Sequence, residues 1–505
     1  MLTMIALPFF FPGANAIAVF VLGAIPALAF VLMYSILSAA VPRSGGDYVW
    51  VGRILGPRWA TTFAILFLFS QVVSFTSLNA WLIPTFSLAQ LFLSLGILTA
   101  SPSLISAATA ITLPQYGFII SLLVLISYIL IGFLGVDFLK RVNRVTFCIF
   151  VITTVVFIAG FIMIAQGNYQ QSFDSTMRTY NLTYSGVVSS ISTNPAFTGF
   201  NLTSTLIAFP MLGFLTYSGF NFNTYTAGET RNVTNTIPKS LLYAVVVLLV
   251  ALVVQSYLAY SALGSLFVGG ISYLFNTGAL SALPVQPTIN FLVSLAIPPW
   301  AGALINVNVG IGFFLVGLNT LIMFSRIVFA MGFDRVVPVK LGAVNDKFGS
   351  PHNAIMAVGA VAIVFEALYW FAGPGLLAGY LNTSIAVDVA YIIPGLAALI
   401  LPYYKRDLYN RVIKPLPGWM SMEIAGVPLI SIGGLGVVII WVFGIYTQLI
   451  PVSSYYYLGS SIPLASAYTV VPAIIGLAIY ELSRAYHKRK DGLDIALAFK
   501  EIPPE

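Results

Sequence analysis

The stretch Phe214 to Tyr225, FLTYSGFNFNTY, lies inside an otherwise apolar run from Thr205 to Gly228. A glycine in a helix interior costs roughly 1 kcal/mol relative to alanine and lets the backbone leave the helix, so Gly219 marks a weak point. Ser218, Asn221, Asn223, Thr224 and Tyr225 do not share one helical face, so a straight lipid-facing helix could not hide them all. Irregular backbone at membrane depth is tolerated only within protein or beside a water-filled cavity. The stretch therefore predicts a helix broken near Gly219 and set inside a bundle. The plainer alternative is a continuous buried helix whose polar groups bond its neighbours.

The rest of the chain supplies that bundle. Of its 505 residues 59% are hydrophobic and only 7% charged, with a mean hydropathy of +0.97, which excludes an ordinary soluble domain. Apolar runs able to cross a ~30 Å hydrocarbon core, roughly 20 residues each, recur along the whole length, so helices rather than barrel strands are expected. Full spans are read near 17–41, 60–85, 117–136, 146–166, 204–228, 240–262, 301–331, 354–373, 378–402, 427–449 and 465–482. The net charge of +7 is scattered among short loops and forms no basic face for nucleic acid. The single cysteine, Cys148, permits no intrachain disulfide and reads as a small buried apolar residue.

Charge orients the spans, because Lys and Arg accumulate in cytoplasmic loops. Alternate loops carry Arg43, Arg53 and Arg58; Lys140, Arg141 and Arg144; Arg231 and Lys239; Arg335, Lys340 and Lys347; Lys405, Arg406, Arg411 and Lys414; and a short basic tail over 483–505. These are expected in the cytoplasm, with the C-terminus. The opposite loops hold one basic residue, Arg178, and two sequons, at Asn181 and Asn201, compatible with surface glycosylation. Before the first full span, Leu2 to Pro12 is too short to cross. It reads as the outer half of a first helix whose inner half is missing, in preference to a signal peptide ending at Ala14-Asn15-Ala16, which would need a basic start.

Three segments carry a resemblance to a known family: PRSGGDYVWVGRILGP (Pro42 to Pro57), SGFNFNTYTAGETRNVTNTIPKS (Ser218 to Ser240) and SRIVFAMGFDRVVP (Ser325 to Pro338). Together they resemble the amino acid-polyamine-organocation (APC) transporters. The resemblance implies an all-α integral membrane protein of two inverted five-helix repeats, about 1–166 and 204–402, with two further helices over 427–482 in one polytopic domain. It also implies a broken sixth span. Carbonyls around Tyr217, Ser218, Gly219 and Phe220 would accept hydrogen bonds from a substrate ammonium, with Asn221 beside them. Many relatives place a glutamate at the Asn221 position, and asparagine cannot take up a proton. Several carry a lysine in the fifth span, which is lacking over Val145 to Ala165. The coupling ion, proton or sodium, stays open.

Two acids lie well within predicted spans, Asp388 and Glu366. Such residues usually face the protein interior or a cavity, since an ionised Asp at a helix centre costs roughly 2.5–3.5 kcal/mol. Asp388 shares a helical stripe with Tyr380, Ser384 and Tyr391 and is the leading coupling candidate, against a structural hydrogen-bonded acid. Glu366, near Tyr369 and Trp370, reads as interfacial or neutral and buried. Gln71, Asn79, Asn319 and Ser384 are weaker candidates for the pocket wall, the first three each as readily an interhelical hydrogen-bonding group. His352 and His487 stand apart from partner histidines, and neither a metal nor a cofactor is expected. No His-Glu-x-x-His motif and no nucleophile, base and orienter set points to an enzyme. The sequence therefore predicts alternating-access transport of amino acids or related small amines across the plasma membrane; a transporter-like sensor that binds without transporting is the alternative.

Overall fold

The computed structural model describes residues 2–192, 197, 199–217, 219–280, 283–372, 384–449 and 462–500. A short helix α1 (Leu2–Phe10) leads into α2 (Ala16–Ala40), where the Asn15 side chain caps the start by accepting from the Ala18 N–H at 2.9 Å. The loop helix α3 (Asp47–Ile54) precedes α4 (Pro57–Leu98), α5 (Pro102–Ile111), α6 (Pro114–Phe133) and α7 (Val136–Gln166). Asn201 caps α8 (Leu202–Ala208), and the chain runs on in widened and then tightened turns to Tyr217. It resumes beyond a break as short 3-10 turns at Phe222–Tyr225 and Ala227–Glu229. Then follow α9 (Val233–Leu263), α10 (Ser265–Asn276), α11 (Ile289–Ser294), α12 (Pro299–Phe333), α13 (His352–Phe371), α14 (Ser384–Tyr404), α15 (Leu429–Leu449) and α16 (Ile462–Lys490). The strands among the described residues are two-residue pieces at Glu423–Ile424 and Val427–Pro428.

Ten of the described helices are long and apolar enough to cross a membrane. The surface confirms their solvent: Ile25, Leu123, Ile152, Val247 and Ile474 are exposed, as lipid-facing side chains must be, while the backbone groups beneath them bond within the helix. Cys148 is exposed too, on α7, which corrects its expected burial; in a membrane an outward thiol meets lipid rather than water.

Two boundaries differ from the sequence reading. The third span continues past 85 to Leu98, where an outward loop was expected, and its turns at Val72–Ser77 and Pro84–Leu88 widen to a π pattern. Pro84 stands at the first position of the second widened turn, and the helix passes it without ending. At 42 residues α4 is roughly 60 Å long, about twice the hydrocarbon thickness, so it crosses tilted or protrudes. Similarly α7 begins at Val136 rather than near 146, taking Lys140, Arg141 and Arg144 into its first turns.

Within the bundle α2 packs on α9, on α15 and on the turns leading to Tyr217; α4 packs on α16, α7 on α12, α6 on α13 and α14 on α15. The tail folds back onto the same assembly. Asp494 forms a two-point pair with Arg484 at 2.8 Å, which holds its carboxyl down to about 2, and accepts from the Ala496 N–H at 3.1 Å to start the turn Ile495–Phe499. Phe499 is thereby buried against Tyr48, under the Arg53 guanidinium.

Candidate functional site

The break falls in the middle of the polar stretch. Gly219 adopts φ +97°, a conformation that a residue with a Cβ reaches only with strain. Before it, Tyr217 is fully buried and its hydroxyl donates to the Phe20 carbonyl of α2 at 3.0 Å, anchoring the first half of the segment. After it, Asn221 opens the 3-10 turn, its carbonyl accepting from the Thr224 N–H at 3.0 Å and from the Thr224 hydroxyl at 2.7 Å. The Asn221 carboxamide is buried and faces the hydroxyls of Tyr34 on α2 and Tyr391 on α14. Ser218 lies outside the described residues, as does Tyr380.

Aromatic rings from five elements enclose this break, and sequence reasoning did not assemble them. The Phe30 ring stands 5.3 Å from Phe214, 6.3 Å from Phe220, 5.5 Å from Tyr391 and 6.1 Å from Trp441. Tyr391 and Trp441 stack nearly parallel at 5.2 Å, and Phe67 of α4 meets the Tyr391 ring edge-on at 5.1 Å. These separations are those of favourable aromatic pairs. The one available signal was the pair Phe30 and Tyr34, one helical turn apart on α2.

The remaining sequence candidates are dispersed. Asp388 is buried on α14, three residues before Tyr391, and its Oδ2 accepts from the Gln448 side-chain amide of α15 at 2.6 Å. Ser384 begins the described part of α14. Gln71 and Asn79 are both buried on α4, Asn79 donating to the Phe75 carbonyl at 2.6 Å. Asn319 instead exchanges hydrogen bonds with Asn143 of α7 at 2.9 and 3.2 Å, an interhelical clasp of α12 on α7. Glu366 is fully buried on α13, accepting from the Trp370 indole at 2.8 Å, and not at an interface.

A charged network closes the basic end of the bundle. Arg53 of α3 makes a two-point pair with Asp334, at the end of α12, at 3.1 and 3.3 Å, both side chains only 4% exposed. Arg326 of α12 pairs with Glu229 at 2.9 Å. These residues line a cavity of about 550 Å³ together with Arg43, Ser44 and Lys140. Deeper in, the buried Asp47 accepts hydrogen bonds from Tyr34 and Tyr225, a junction between segments far apart in the chain.

A polytopic helical bundle whose span is interrupted at a buried polar stretch is the architecture of a membrane transporter. The match to known proteins agrees with it: the family model for amino acid permeases matches residues 3–479, and the chain belongs to that family, within the APC superfamily. It is 23% identical over 383 residues to the branched-chain amino acid permease BcaP of Bacillus subtilis, covering 73% of this chain and 72% of that protein. To BcaP of Lactococcus lactis it is 25% identical over 397 residues, covering 77% and 75%. The protein is a multi-pass membrane transporter of amino acids, not an enzyme.

Proposed function

We propose that the chain is a secondary transporter of amino acids with apolar side chains, branched ones among them, working by alternating access around the break at Gly219. The observation that carries this reading is the aromatic enclosure: five rings, Phe30, Phe214, Phe220, Tyr391 and Trp441, stand around backbone that has left the helix. Such a wall favours an apolar side chain, while carbonyls of the segment Tyr217 to Phe220 receive the ammonium. The names of the two BcaP relatives point to the same substrate class. In this reading the halves about 1–166 and 204–402 are the inverted repeats and the helices over 427–482 are additions. The basic end and the C-terminus face the cytoplasm across the plasma membrane.

Purified protein in vesicles tests the reading with labelled leucine, isoleucine and valine set against lysine and glutamate, under imposed proton or sodium gradients. Gradient-driven accumulation of the apolar substrates alone is expected; saturable binding without uptake would instead make the protein a sensor.

Asp388 is the proposed coupling residue, since its carboxylate joins α14 to α15 one turn from the Tyr391 and Trp441 stack. For Asp388→Asn the expected result is loss of accumulation with exchange partly retained, read by comparing uptake under a gradient with counterflow. Undiminished accumulation removes Asp388 from the role.

A further inference from the structure

Asp47 is fully buried at the start of α3, outside the spans, yet no lysine or arginine among the described residues forms an ion pair with it. The nearby cations are committed elsewhere, Arg53 to Asp334 and Arg326 to Glu229. What faces Asp47 is phenolic. Its Oδ2 accepts from Tyr34 of α2 at 2.7 Å and also from Tyr225, with Tyr391 of α14 the next titratable group. Its Oδ1 is buried without a partner. A carboxylate without a counter-ion and with one bare oxygen is placed to accept a proton there.

The junction also ties the basic-end loop to the broken segment. The Gly45 N–H donates to the Tyr225 carbonyl at 3.1 Å, and Ser44 bridges to Thr226. The Tyr225 ring sits on Gly46, where φ is +50° and an added Cβ would lie 2.8 Å from the ring. Tyr225 ends the 3-10 turn that begins just after Asn221, while Ser44 and Val49, either side of Asp47 in sequence, line the cavity at the basic end. One carboxylate thus joins the segment that follows the break to the loop whose Ser44 and Val49 line the cavity.

We propose that Asp47 is a proton-binding site that governs opening of the basic end: ionised, it clamps Tyr34 and Tyr225 together on one oxygen, and protonated, it releases one of them. The step is a simple addition in which a proton from the aqueous phase bonds to the Oδ1 lone pair, with no leaving group. A neutral carboxyl is a weaker acceptor than a carboxylate, so two phenols no longer share Oδ2 on equal terms. Burial pushes this carboxyl up to about 7, against the two tyrosine hydrogen bonds that hold it down, so the clamp loosens on the acid side of that value.

The inference rests on the transport reading, and leucine exchange in vesicles with equal pH on both sides separates the two. Wild-type exchange is expected to rise as pH falls through about 7. In Asp47→Asn the rate should be flat with pH, within about twofold. Asp47→Glu should still titrate, because a proton-accepting group is kept. In Tyr225→Phe, loss of one donor to the ionised form should move the midpoint up by roughly 0.5–1 pH unit, a shift that a purely structural role does not produce. A wild-type pH profile in Asp47→Asn, or an unmoved midpoint in Tyr225→Phe, overturns the proposal. Should Asp47→Asn fail to fold, the Tyr225→Phe midpoint decides alone. Absence of exchange with any amino acid in the wild type would defeat the transport reading instead.

Discussion

Replacing Gly219 with leucine is expected to abolish amino acid binding while the protein still inserts and purifies intact. Two effects combine at this position. A residue with a Cβ at φ +97° carries strain of about 1–3 kcal/mol, which pushes the backbone to a different path. The new Cβ would also lie 3.0 Å from the Phe222 ring, and the rest of the leucine side chain would have to find space beside rings already in contact. Either effect turns the carbonyls next to the break away from the position proposed for a substrate ammonium. Insertion should survive, because each crossing helix meets the demand of lipid by its own apolar length, whatever path this turn takes. Equilibrium binding of labelled leucine to the purified variant, with membrane yield measured in parallel, checks both halves. Unchanged affinity would sink the broken-segment site. Gly219→Ala, which adds the strain and the first contact without further bulk, should fall between the two.

The break itself was legible in the sequence because its cause is local: one glycine and polar side chains on incompatible helical faces can be read without knowing any neighbour. The spans were legible for the same reason, as crossing lipid is a demand on each segment separately. What surrounds the break was not. Phe30, Phe67, Phe214, Tyr391 and Trp441 come from five elements, and helical periodicity says which face a ring occupies but not which helix that face meets. The same limit applies to Asn319, whose partner Asn143 lies in a charged stretch, Lys140 to Arg144, that by apolar content alone reads as a loop. Asp47 escaped attention because an acid in a charged, polar loop reads as solvated; only the fold shows it walled off by Tyr34 and Tyr225.

Burial makes a second, equally large difference at Arg53 and Asp334. Asp334→Ala is expected to destabilise the protein by about 3–5 kcal/mol, the usual consequence of leaving one member of a buried ion pair without its partner. The guanidinium has little recourse: its side chain is 4% exposed, its Nε already lacks a partner, and Phe499 covers one face. On the face that Phe499 covers, water enters only by displacing the folded-back tail, so loosening of Ile495–Phe499 should accompany the loss. The exposed pair of Arg58 and Glu481 is the control, because ions at 62% and 41% exposure exchange each other for water almost evenly. Thermal unfolding in detergent should show a marked fall for Asp334→Ala and no measurable change for Glu481→Gln. Replacing both members, Arg53→Met with Asp334→Leu, should recover much of the difference, since the loss comes from the unpaired charge and not from the missing attraction. If the double variant melts as low as the single one, the penalty lies in packing around the α3 and α12 junction, and the pair owes its place to geometry alone.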